Sequence, residues 1–373
     1  MHSVIGLIFG NTRSDILQGL AQDRPIAAVP FGGRYRLLDF ALSSMVNSGI
    51  RTVGLVTPHH YRPVLDHLGA GKDFSLDRKA GGLFILPGAI HGLIGDKSKF
   101  RIKDICLNIE FLQKDFSENV VISYCNQVYN INYRDALEFH NQKQADITLI
   151  YKETDDPLDM SGRVILYIGK DQHVHKLQEK YEDDPTEQAQ PYFVDMLIIR
   201  RTLLLDIIQG YKCIENIDLL DALRDNLTTL KVYGYNFTAY IGRIDSIKDY
   251  FDRNMDLFKP EIRKELFLSR DRIHTKIRDN PPTKYGSKAK VSNSLLASGC
   301  CIDGEVENSI LSRGVVIKPG CMIKNSIIMQ KCIIGKNAVL ENVILDKFVE
   351  VNEGNVLKGS ENNPLVLYKK TVV

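Results

Sequence analysis

Short runs of Val, Ile and Leu punctuate residues 1–255, and longer amphipathic stretches fill the gaps between them. A brief apolar run bounded by turn residues reads as a buried strand, and an apolar stripe at helical spacing reads as a helix packed on a sheet. The expected strands are Val4–Phe9, Thr52–Val56, Leu83–Leu86, Val120–Ser123, Ile147–Tyr151, Met196–Arg200 and Lys231–Tyr235. The expected helices are Leu37–Asn47, Tyr61–Leu68, Ile105–Asp115, Tyr133–Lys143, Thr202–Gln209, Asp218–Asn226 and Ile247–Leu257. Alternation of this kind predicts βα units on a parallel sheet. Residues 256–290 are charged and carry Pro260, Pro281 and Pro282, which marks a connector.

Beyond the connector the period changes. Ile310, Val316, Met322, Ile328, Ile334 and Leu340 recur at a spacing of six, and a second register runs through Val315, Cys321, Ile327, Ile333, Val339 and Leu345. A six-residue apolar repeat predicts a left-handed parallel β-helix over 291–373, with three hexapeptides per triangular coil and one inward side chain from each. Gly314, Gly320 and Gly335 stand where tight corners are needed. An antiparallel sheet would give a period of two and would not hold this phase.

Composition narrows the function classes. With 44% hydrophobic and 25% charged residues, the 373-residue chain has core material for two domains. The 48 Lys+Arg and 46 Asp+Glu are spread without a basic block, so dedicated nucleic-acid binding has no electrostatic support. No apolar stretch approaches the ~18 residues of a membrane span, and the N-terminal run ends at Gly10-Asn11, as a strand and not a signal peptide does. The seven cysteines are odd in number and form no C-x-x-C pair; the reading is buried free thiols in a reducing cytoplasm.

Specific segments add a resemblance. Ala28 to Ser43 (AVPFGGRYRLLDFALS), Asn47-Ser48-Gly49-Ile50, Gly71-Lys72-Asp73, Gly81 to Pro87, Asn254-Met255-Asp256-Leu257 and Val306 to Val315 resemble the bacterial glucose-1-phosphate adenylyltransferase family over nearly the whole chain. The resemblance implies a Rossmann-like nucleotidyltransferase domain at 1–255 ahead of the β-helix. It also implies a reaction of ATP with glucose 1-phosphate that gives ADP-glucose and pyrophosphate. Such chemistry rests on positioning and on neutralising charge.

The positions that carry this chemistry in the family differ here. The Gly-rich phosphate loop becomes Asn11 to Leu17, with Ile16 at the Arg position and Asp15 adding negative charge. Ile26 stands at a phosphate-contacting Lys, and Phe100 to Asp104 replaces the nucleotide-base loop. Of two Mg²⁺-binding Asp positions, one is Asn126 and the other Arg243; Asp245 is the nearest carboxylate that could stand in. Glu179-Lys180 match the sugar-phosphate motif although Tyr181 replaces its Pro, and an ion pair between the two is an equal reading. Phe193 to Leu197 replaces the family's S-M-G-I-Y.

This pattern resembles the non-catalytic D-type subunit of the glycogen-synthesis enzyme. The resemblance implies a heterotetramer with a catalytic adenylyltransferase subunit, self-association, and no cofactor. Three other readings stand beside it: an active adenylyltransferase with a rearranged site, which alone would need Mg²⁺; a hexapeptide acyltransferase, disfavoured because 285–373 contain no His; and a purely structural scaffold. Arg34, Arg36 and Arg51 are expected to hold an anionic sugar-phosphate effector, set against their reading as a solvated basic face.

Overall fold

The computed structural model describes residues 3–11, 14–57, 61–88, 99–154, 162–180, 190–212, 214 and 216–373. Val4–Phe9, fully apolar but for Gly6, takes the middle of a nine-stranded sheet. Thr52–Thr57 and Asn119–Tyr124 pair with it in parallel on its two sides, and Gly82–Pro87 extends the sheet beyond Thr52–Thr57. The other half corrects the expectation of a parallel sheet. Gln190–Arg200 runs antiparallel to both Asn119–Tyr124 and Ile147–Thr154, and the hairpin Val164–Ile168/Val174–Glu179 closes that edge. Neither hairpin strand is among the expected ones: Val164–Ile168 (VILYI) is apolar but for Tyr167, and Val174–Glu179 (VHKLQE) is mostly polar.

Helices cover both faces. Leu37–Asn47 begins where the Asp39 carboxylate accepts the Arg36 main-chain N–H at 2.9 Å, and Tyr133–Gln142 begins where Asn132 caps the Arg134 N–H. The expected helix Ile105–Asp115 is two, Ile102–Leu107 and Ile109–Gln113, broken at Asn108, whose side chain donates to Pro87 O and Asp104 O.

The β-helix consists of three five-stranded parallel sheets. Its first strand, Lys284–Tyr285, lies inside the stretch expected as connector, and the connector itself folds in part into the helix Pro260–Phe267. The expected phase needs correction as well. Met322 stacks on Val339 and Val339 on Val356, so these coils take 17 residues, in steps of six, six and five, while Lys290 to Glu305 takes 15 and Val343 to Leu365 takes 22. The buried column is Ile317, Ile323, Ile328, Ile334, Leu340, Leu345 and Val351. A strict six-residue phase drifts off it, which is why Met322 and Ile333 face outward. Of the three expected corner glycines, Gly314 and Gly320 adopt positive φ, whereas Gly335 is required by contact: a Cβ would stand 2.7 Å from the Asn352 carbonyl carbon. Asn308, Asn325 and Asn342 turn another corner in the same left-handed region, which Asn tolerates better than other side chains.

The two domains share a core. Leu17, Ile26, Phe31 and Leu257 pack with Ile310, Ile327 and Ile344. Arg24 crosses the same boundary to Asp346. Cys125, Cys300, Cys321 and Cys332 are buried free thiols, but Cys301 is exposed and Cys106 half-buried; Cys213 lies outside the described residues. No helix among the described residues is long and apolar enough to cross a membrane.

Candidate functional site

Open α/β sheets present their chemistry beyond the carboxyl ends of the strands. After Val4–Phe9, Gly10 N donates to Val56 O at 2.8 Å, and buried Asn11 Nδ2 donates to Asp104 Oδ2 at 2.6 Å. Asp104 is fully buried on the helix that stands in the expected base-loop position. The turn after the first strand is thereby tied down by a side chain. Thr12 and Arg13 lie outside the described residues. Ile16 is half-buried and Ile26 fully buried, both against the core shared by the two domains. Alkyl groups therefore face an apolar core where the resemblance implied phosphate-binding cations.

The expected metal positions meet because Ile241–Arg243 pairs antiparallel with Gln127–Tyr129, bringing Arg243 beside the end of Asn119–Tyr124. Buried Asn126 donates Nδ2 to Asp245 Oδ1 at 2.7 Å. Arg243 Nε pairs with the other oxygen of Asp245. The carboxylate that could have stood in for a lost ligand is thus held at both oxygens, by an amide and a guanidinium. Across from it, Lys99 Nζ donates to Asp195 Oδ2 at 2.6 Å. Burial lowers the Lys99 pKa, the Arg243 charge lowers it further, and Asp195 opposes both.

Asp195 was not singled out as a site residue. It occupies the Gly position of the matched family segment, and its φ of 57° keeps a conformation suited to glycine. A bulge between Phe193 and Leu197 creates this kink and aims the carboxylate at Lys99. The signal was in the sequence, since a charged residue replacing a glycine inside a strand carries a backbone requirement with it.

Mg²⁺ requires several oxygen ligands in near-octahedral geometry. The arrangement supplies an amide nitrogen, a guanidinium, an ammonium and two carboxylates already paired, so these residues do not fit Mg²⁺. Among the described residues there is no group of three His, Cys, Asp or Glu that could hold a metal ion.

Glu179 ends its hairpin strand exposed, 3.7 Å from Arg224, and not on Lys180. Lys180 is buried, its main chain bonded to Arg163 and Gly162. The alternative of an ion pair between the two neighbours is therefore absent; Tyr181 lies outside the described residues.

Arg34 and Arg36 flank the turn at Gly32 and Gly33 and line a cavity of about 470 Å³ between the two domains. Arg278 and Asp279 reach it from the connector, and Arg313 and Lys331 from the β-helix coils. Arg36 is fixed by its Nη1 bond to Pro63 O, and its main-chain N–H donates to Asp39. Burial pushes the Arg36 pKa down to about 10; Asp39 opposes this, while Arg24 and Arg278 add to it. Burial also lowers that of Arg313, with Arg34 and Arg278 adding repulsion. Five cations share the cavity with one lining carboxylate, and such crowding favours an anion. Arg51 is not brought to this group. It is exposed and donates to Val46 O at 3.0 Å, capping the far end of Leu37–Asn47, about 16 Å away by helical rise. The sequence reading missed Arg278, Arg313 and Lys331, although Arg313-Gly314 sits in a matched segment.

The fold and this cleft define a nucleotidyltransferase joined to a hexapeptide β-helix. Residues 9–199 match the nucleotidyl transferase family model, and 281–363 match the model of the GlmU-like C-terminal hexapeptide. The chain is 34% identical to the glycogen biosynthesis protein GlgD of Bacillus subtilis (100% of this chain, 97% of the relative) and 36% identical to that of Geobacillus stearothermophilus (100% and 97%). It is 29% identical to a glucose-1-phosphate adenylyltransferase of Bacillus cereus (96% and 95%). The chain belongs to the nucleotidyl transferase family, in the branch of the GlgD proteins.

Proposed function

We propose that this chain is a non-catalytic regulatory subunit that assembles in the cytoplasm with a catalytic glucose-1-phosphate adenylyltransferase and modulates ADP-glucose synthesis for glycogen. One observation carries the reading: the two metal-ligand positions are Asn126 and Arg243, and together they occupy Asp245. A guanidinium at that place repels a divalent cation, and the carboxylate beside it is already compensated. Loss of one charge-stabilising group commonly costs ~10²–10³ in rate, and the two phosphate-contacting positions of the family are Ile16 and Ile26.

The cationic cavity supports the regulatory half of the reading. It spans both domains, so an anionic sugar phosphate bound there by Arg34 and Arg36 would favour one relative placement of the domains and, through it, one state of a heterotetramer. Lys180 would retain a contact to glucose 1-phosphate.

The test is pyrophosphate release from ATP and glucose 1-phosphate with Mg²⁺, by this chain, by the catalytic subunit, and by the two together. Background turnover by this chain alone, with a raised or effector-shifted rate in the mixture, is the expected result. Robust turnover by this chain alone would refute the non-catalytic reading. An effector response that survives Arg34→Ala with Arg36→Ala in the assembled complex would remove the cavity from the account.

A further inference from the structure

The turn between Val164–Ile168 and Val174–Glu179 brings two histidines together. Gly169 N donates to His173 O and Gln172 N to Gly169 O, both at 2.9 Å, and Gln172 takes a φ of 71°. Gln172 O accepts the Gly234 N–H at 2.9 Å, which fastens the turn to the strand Val232–Asn236. The hairpin register shifts between Val174 and Lys176, so His175 sits in a bulge, a device that re-aims a side chain. As a result His173 Nδ1 and His175 Nδ1 face each other at 3.4 Å, with the rings tilted by 42°. The His173 ring is held edge-on to Tyr233, 5.4 Å between centroids.

That spacing is the bite of a metal ion. Zn–N bonds of about 2.05 Å at the tetrahedral angle set two ligand nitrogens about 3.3 Å apart. We propose that His173 and His175 chelate a divalent transition metal of the Zn²⁺ class through their Nδ1 atoms, with water in the remaining positions. Imidazole nitrogen selects such ions over Mg²⁺ and Ca²⁺. Asp171 is the positioning residue. A Cβ on Gly169 would stand 2.6 Å from His175 Nε2 and 2.7 Å from Asp171 Oδ1, so these two atoms close over the same bare glycine. With Nδ1 on the metal, His175 carries its proton on Nε2, on the side of that carboxylate. A carboxylate so placed fixes the tautomer and raises the basicity of the ligand. The His173 N–H donates to Asp171 Oδ1 at 3.1 Å and lowers the Asp171 pKa, which keeps the carboxylate charged. Lys143 is the cation at this turn, and it is drawn aside: Nζ donates to Asp171 O at 3.0 Å and lies 5.4 Å from the Tyr233 ring centre. Among the described residues no third His, Cys, Asp or Glu completes the set, so the site is open and its metal exchangeable. It shares no residue with the Asp245 group or the cationic cavity, and the proposal does not rest on the regulatory reading.

The experiment is calorimetric titration of the full chain with Zn²⁺, and with Mg²⁺ for comparison, using wild type, His173→Ala, His175→Ala and Asp171→Asn. Melting temperatures without metal check that each variant keeps its fold. Wild type is expected to bind one equivalent of Zn²⁺ more than either histidine variant, and Mg²⁺ is expected not to distinguish the proteins. Asp171→Asn keeps an oxygen for the His173 N–H and loses only the charge. It is expected to leave the metal-free melting temperature unchanged and to weaken the added equivalent by about tenfold. A wild type that binds no more Zn²⁺ than the two histidine variants would overturn the proposal, and the contact would then be a hydrogen bond between imidazoles alone. Loss of the equivalent in only one histidine variant would overturn it too, because the chelate requires both rings. Wild-type zinc affinity in Asp171→Asn would overturn the positioning role of that carboxylate.

Discussion

Replacing Asp346 by Ala tests the junction between the domains. The Asp346 side chain is 2% exposed and that of Arg24 6%, with Arg24 Nη2 2.7 Å from Asp346 Oδ1. Arg24 also donates Nε to Leu20 O, and Asp346 accepts the Lys347 N–H at 2.7 Å. The cations nearby already oppose one another: burial lowers the Lys347 pKa to about 7, and Arg36 and Arg24 contribute to that shift. Removing the carboxylate leaves Arg24 buried beside two further cations and frees a backbone donor. Breaking a buried pair from one side costs about 3–5 kcal/mol. With an m-value of about 3 kcal/mol/M, a loss of ~4 kcal/mol lowers the urea midpoint by more than about 1 M. The chain has no Trp, so unfolding is followed by circular dichroism. Arg24→Met with Asp346→Leu should recover most of the loss, because an apolar pair of similar volume is often neutral in such a place. A midpoint shift for Asp346→Ala below about 0.3 M, or a double variant as unstable as the single, would refute the reasoning.

Two further predictions concern single groups. Burial holds the Lys347 pKa near 7 in the native protein, whereas the unfolded chain keeps its proton to 10.5, so the unfolded state binds more protons between these values and stability should rise with pH from about 7 upward; melting temperatures from pH 6.5 to 9.5 should show that rise, and Lys347→Met should flatten it. Asn126→Asp with Arg243→Asp places two carboxylates beside Asp245 and should give a protein that Mn²⁺ stabilises by about 1.4 kcal/mol at ten times Kd, read as a rise in melting temperature, whereas the wild type stays indifferent; equal responses would contradict the pairing described for Asp245.

What could be read ahead of the structure follows the range of the forces involved. The strand Val4–Phe9 and the helix Leu37–Asn47 lie where local patterning puts them, because burial imposes a period on neighbouring residues. The β-helix is legible for the same reason, but its internal phase is not. A recurring step of five is invisible to a count of six that borrows Val316 or Met322 from the outer face. Strand direction is a long-range property, and nothing local marks Gln190–Arg200 as antiparallel to Asn119–Tyr124. The site divides likewise. Matched segments mark Asn126 and Arg243, but only the fold shows that both converge on Asp245. The group formed by Arg34, Arg36, Arg278, Arg313 and Lys331 needs residues far apart in the chain, and Arg51, close in sequence, lies at the wrong end of a helix.

The altered positions also hold the molecule together, and this bears on how readily the resemblance to a catalyst could be reversed. Asn126 and Arg243 both bond to Asp245, whose side chain is 34% exposed, so substitution there changes charge beside solvent. Ile26 is different: it is fully buried in the core that joins the Leu37–Asn47 region to the β-helix. An ammonium at this position would be desolvated with no counter-charge designed for it, at a cost of several kcal/mol, and the longer side chain would overpack the core. Carboxylates can therefore be returned to the cleft one at a time, whereas a Lys at Ile26 cannot be returned without disturbing the contact between the domains. Restoring the family's residues is therefore opposed by packing at Ile26 more than by charge at Asn126 and Arg243.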